Sequence, residues 1–181
     1  MDPTPTPSKI EAIGWSDEEF VRQFESCTLP YVHWTHRAHL RVAYIYLVRL
    51  GLEGAIPKVT AGIRAYNQSQ GIVDTPTSGY HETMTLAWLH LVAAMLAEYG
   101  PMGLTADSGS GASPAAGTVD PALSPAERFL ESQPQLRERK LLRLFYSRAR
   151  FCLPEAKYRF LAPDLAPFPI VRRIARDKPT G

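Results

Sequence analysis

Histidine is the residue type through which this sequence could do chemistry. Of its five histidines, three fall in one seven-residue run, His33-Trp34-Thr35-His36-Arg37-Ala38-His39. A fourth, His81, stands in Gly79-Tyr80-His81-Glu82-Thr83, directly beside an acid. Neutral imidazole is a common ligand for transition metals, and zinc takes it at about 2.0–2.1 Å. Residues at i and i+3 of a helix have Cβ atoms about 5–6 Å apart, so His36 and His39 can share one ion. His81 supplies a third ligand if the starts of two helices meet. Three protein ligands and one open position make the arrangement of a catalytic zinc. The expectation is one Zn2+ per chain on His36, His39 and His81. Glu82 is read as a further ligand, as a general base, or as a group that orients a ligand. Tyr80 or Tyr66 would donate a proton or a hydrogen bond to a polarised oxygen.

The spacing departs from the two helical metal motifs closest to it. Zincins place two histidines four residues apart with a glutamate between them. Di-iron bundles use Glu-x-x-His pairs, and the matching glutamates are missing here. The metal reading therefore rests on clustering at two helix starts. Its rival is that the histidines cap helices or fill a polar layer of the core. His33 lies in an extended entry segment and is set apart from the ligands, and His90, mid-helix among apolar residues, is read as a core histidine. Tyr31, Trp34, Tyr66 and Trp88 are the aromatic residues expected to line the site, with Tyr80 beside them. Core residues by default, they would also suit a small, flat aromatic substrate. No dinucleotide fingerprint, phosphate loop or serine nucleophile elbow occurs.

These residues must be positioned by helices. Ser16 with Glu19 forms a capping box for a helix running to about Ser26. Thr35 is a plausible N-cap for a helix from His36 to about Leu50, ended by Gly51. On it, His36, His39, Leu40, Ala43 and Leu47 share one face, while Arg37, Arg41 and Tyr44 fall on what reads as the wetter one. A third helix spans about Ala55 to Asn67, with Pro57 in its first turn. A long helix from about Tyr80 to Glu98 carries His81 and Glu82 in its first turn. Ser124-Pro125-Ala126-Glu127 opens another, with helical pieces to about Glu131, from Gln135 to Phe145, and from Leu153 to about Leu161. The tail from Pro163 to Pro169 is extended and docks through Leu165 and Phe168. No strand pattern is found. The fold class is all-α: a single-domain bundle of about six helices over 13–170, with a disordered Pro/Thr leader at 1–12, a flexible Gly/Ser loop at 100–120 and a basic tail at 171–181.

Length and composition agree with one ordinary globular domain. Hydrophobic residues make up 45% and charged residues 21%, which suits a real core. The net charge of +2 is too small to argue for nucleic acid or an anionic membrane as partner. The basic stretch Arg137, Arg139, Lys140, Arg143, Arg148 and Arg150 reads as a solvated helix face. Cys27 and Cys152 have no paired spacing. The start of the chain has no apolar core of a signal peptide, and no apolar run is long enough for a membrane span, so a reduced, cytoplasmic setting is expected.

Together, Trp34-Thr35-His36-Arg37-Ala38-His39-Leu40, Tyr66-Asn67, Gly79-Tyr80-His81-Glu82-Thr83 and Pro163-Asp164-Leu165-Ala166-Pro167 resemble a family of small helical proteins. Within it the chain is similar to the fungal cyclopenases, small hemocyanin-like zinc enzymes of secondary metabolite biosynthesis. The resemblance implies a metal-dependent lyase of quinolone alkaloid formation. Such an enzyme contracts an epoxidised benzodiazepinedione of the cyclopenin or cyclopenol type to a 4-arylquinolone with loss of methyl isocyanate. Paired three-histidine copper sites would need six histidines, so dicopper chemistry is not implied. A metal on the three histidines would stabilise the oxyanion, with Glu82 and Tyr80 as catalytic groups. The alternatives are a metal-dependent hydrolase of a small molecule and a non-catalytic helical binding module.

Overall fold

The computed structural model describes residues 14–101 and 123–169. The leader, the basic tail and all of the Gly/Ser stretch beyond residue 101 lie outside these. The described chain is an all-α, single-domain bundle; its only extended pairing is an isolated bridge between Thr75 and Ser78. Helix α1 (Asp17–Glu25) starts where the Ser16 hydroxyl accepts the Glu19 N–H at 3.1 Å, and it buries Phe20, Val21 and Phe24. A single 3-10 turn, Tyr31–His33, leads into α2 (His36–Ser69), whose N-cap is Thr35. Gly51 interrupts α2 with φ 68° and ψ 179°, a conformation that is essentially confined to glycine. Two helical arms thus meet at the residue where the sequence puts a stop. Pro57 sits inside the second arm, not at its first turn.

Helix α3 (Glu82–Tyr99) begins two residues later than expected, so that His81 is its N-cap. Helix α4 (Pro125–Ser132) is capped by Ser124 as the sequence predicts. Beyond it the sequence reading needs correction. In place of a helix from Gln135 to Phe145 there are two 3-10 segments, Pro134–Arg137 and Arg139–Leu144. A short α5 (Arg148–Phe151) follows, and a 3-10 turn, Pro154–Lys157, replaces the last helix. The tail explains why these pieces stay short. The Leu165 N–H donates to the Phe145 carbonyl at 3.0 Å, and Asp164 accepts the Ser147 N–H and hydroxyl at 2.9 and 2.6 Å. Backbone groups that a longer helix would have satisfied are satisfied by the returning chain.

Helix α2 is central, packing on α3, α1 and α4. The face of α2 read as wet is not so: Arg41 and Tyr44 are buried. Asp17 explains this. Its carboxylate accepts Arg41 Nε at 2.9 Å, the Ser124 hydroxyl at 2.7 Å and the Ala126 N–H at 2.9 Å. Arg41 also donates to the Trp15 carbonyl at 2.6 Å, and Arg37 reaches Glu127 and Glu131. Every partner of the buried charge comes from another element, so this network ties α1, α2 and α4 together.

Candidate functional site

Where the N-terminal end of α2 meets the start of α3 and the Arg139–Phe151 segment, the packing leaves a cavity of about 1160 Å3. His36, His39 and His81 all line it, as do Trp34, Tyr80 and Trp88. Two folding events bring the two histidine stretches together. The Thr35 cap fixes the direction in which α2 starts. A loop held by Lys157 and Asp74 delivers the second stretch. Lys157 is buried, and its ammonium donates to the Ser78 and Tyr80 carbonyls, each at 2.6 Å. Asp74 Oδ1 accepts the Tyr80 N–H at 2.6 Å. Between them Gly79 has φ +84°, and a Cβ there would come within 2.0 Å of Asp74 Oδ1.

The aromatic wall is built from three groups of ring contacts. Trp34 packs against the His39 ring with centroids 4.0 Å apart, and against Phe24 and Tyr66 behind it. Trp88 meets His36 edge-on at 4.6 Å, and Phe151 lies 5.9 Å from His81 and 4.6 Å from Tyr146.

Each of the three cavity histidines already has a backbone partner, which assigns its protons. A carbonyl can only accept, so His39 donates from Nδ1 to the Thr35 carbonyl at 2.7 Å and keeps Nε2 as its bare nitrogen. His36 donates from Nε2 to the Leu136 carbonyl at 3.0 Å and keeps Nδ1. His81 works the other way: Nδ1 accepts the Met84 N–H at 3.2 Å, so in the neutral ring the proton sits on Nε2. Burial holds all three below the ordinary imidazole range, His39 as low as about 4. The positive charge of Arg139 adds to this at His36 and His39, and that of Lys157 at His81. The three rings are therefore neutral at neutral pH.

This arrangement overturns the metal centre. Among the described residues no group of three or more His, Cys, Asp or Glu side chains could hold a metal ion. The lone pair of His81 serves as the cap of α3, and spending it on a cation would leave a backbone N–H unsatisfied. The expected Zn2+, the zinc-dependent lyase and the metal-dependent hydrolase fall together, since each requires that ligand set.

The remaining residues singled out by sequence are distributed as follows. Glu82 is absent from the cavity wall and pairs with Arg64 at 3.2 Å. The Arg64 guanidinium also lies over the Tyr80 ring, 3.9 Å from its centroid. The Tyr80 hydroxyl is buried without a well-aligned hydrogen bond, and burial, with the nearby Glu82 charge, raises its pKa. Tyr66 is fully buried behind Trp34 and donates to the Leu29 carbonyl at 2.7 Å. Tyr31 is exposed away from the cavity. His33 packs edge-on to Trp15, and His90 stacks on Phe168 and Phe160, under the docked tail.

Three further lining residues, Arg139, Arg143 and Arg148, belong to the stretch that the sequence reads as a solvated face. The i, i+4 spacing of Arg139 and Arg143 with apolar Leu142 between them was the available signal. Among the described residues, no Asp or Glu lines the cavity.

Compared with family models, with curated proteins and with solved structures, the chain matches none. With the ligand geometry, that result overturns the similarity to the cyclopenases. No helix among the described residues is long and apolar enough to cross a membrane.

Proposed function

We propose that this chain is a non-catalytic helical binding module whose cavity takes a small aromatic ligand. The observation that carries the reading is the wall itself. Trp34, Trp88, Tyr146 and Phe151 surround a space of about 1160 Å3, large enough for a drug-sized molecule. Trp34 and Trp88 are each half-buried, so part of each indole remains available to a ligand. The polar groups among them suit recognition. His39 and His36 each keep one bare ring nitrogen, held in place by the backbone bond at the other, and can accept a hydrogen bond at a fixed position. Ligand sites combine an apolar aromatic wall with a few such placed polar groups.

The test uses phenylnaphthylamine, an uncharged aromatic whose absorption overlaps tryptophan emission. Energy transfer from tryptophan to the bound probe is expected, with Trp88→Ala weakening binding about tenfold or more. Trp15→Phe, outside the cavity lining, is expected to bind as the wild type does. Absence of transfer, or wild-type affinity in Trp88→Ala, would contradict the proposal.

A further inference from the structure

We infer that the cavity selects an anionic aromatic ligand, whose negative group is held by Arg139 and Arg143, with Arg148 beside them. This rests on the binding-module reading and adds to it the charge of the ligand. Arg139, Arg143 and Arg148 are all exposed at the cavity wall. None forms an ion pair among the described residues, although ten such pairs occur elsewhere.

The nearby acids are engaged elsewhere. Glu131 pairs with Arg37 and Arg137. Glu138 accepts the Lys140 N–H, and Asp164 accepts both donors of Ser147. Glu82 is taken by Arg64. The histidines facing the arginines are neutral and contribute no charge of their own at neutral pH. One aromatic compartment therefore opens beside a rim of arginines that form no ion pair among the described residues. A guanidinium offers paired donors that match a carboxylate, sulfonate or phosphate. Charge of one sign along a cleft attracts the opposite charge. An organic anion with a planar apolar body complements both halves; a cation or a neutral hydrocarbon complements one at most.

The experiment compares phenylnaphthylamine with anilinonaphthalene sulfonate, which carries the same ring skeleton plus one fixed negative charge. Both are titrated into the full chain and read by energy transfer from tryptophan, so that only probe near the indoles is counted. The sulfonate is expected to bind at least tenfold more tightly, and that preference is expected to shrink with added salt. In the doubly substituted Arg139→Gln, Arg143→Gln chain the preference should fall below twofold, and Arg139→Lys with Arg143→Lys should restore most of it. Equal affinities in the wild type, or a preference unchanged by the glutamines, would overturn the anion assignment while leaving the aromatic cavity standing. No transfer from either probe would overturn both.

Discussion

At the scale of single residues, the site is governed by what each imidazole does with its two nitrogens. His39 gives one to the Thr35 carbonyl and is pushed down to about 4 by burial, with His36 and Arg139 adding to the effect. A group with a depressed folded pKa stabilises the fold above its unfolded value, here 6.5, and that contribution is lost as pH falls towards the folded value. The window is thus between about pH 6.5 and pH 4, and the effect is at most on the order of 3 kcal/mol. His36 and His81 shift in the same direction. Denaturant midpoints measured across this window are expected to fall steeply in the wild type and less steeply in His39→Gln. Parallel curves would show that His39 does not charge on unfolding. The presence of the histidine cluster was legible in sequence; its use was not. A histidine that caps a helix and one that binds a metal share the same spacing, and only the position of the Met84 amide separates them. Arg41 was misread for a similar reason. Its partner Asp17 lies in another helix, and no local pattern reveals that a buried charge is compensated.

At the scale of elements, the helix starts were legible because their signals are local. Ser16, Thr35 and Ser124 each accept an amide three residues on, and Gly51 breaks α2 as its position suggests. The segment after α4 was not legible. Its apolar and basic residues fit a helix by period, yet Asp164 and Leu165, some twenty residues away, take up the backbone groups at Phe145 and Ser147. Long-range satisfaction of the backbone overrides local propensity there. The loop before α3 is the element on which the cavity most depends, because it sets Tyr80 and His81. Gly79→Ala forces an L side chain into φ +84° and against Asp74. A loss of about 1–3 kcal/mol in stability is expected, with faster hydrogen exchange at the Tyr80 amide. Unchanged protection of that amide would contradict the role given to the Asp74 contact.

At the scale of the whole molecule, two regions divide the work. On one side of α2, Asp17, Arg41, Ser124 and Glu127 lock α1 and α4 in place. On the other, α3 and the Arg139–Phe151 segment stand apart far enough to leave a cavity walled by aromatics and rimmed by arginines. The sequence indicated an aromatic, histidine-containing site between two helix starts; the arginine rim emerged only with the 3-10 path of the chain. The central claim, that this cavity holds a ligand, is tested most directly by the indole N–H resonances of the three tryptophans during titration with anilinonaphthalene sulfonate. Trp34 and Trp88 line the cavity, and Trp15 does not. The account predicts saturable shifts of the Trp34 and Trp88 signals with the Trp15 signal fixed. Three unmoved signals, or a shift confined to Trp15, would contradict it.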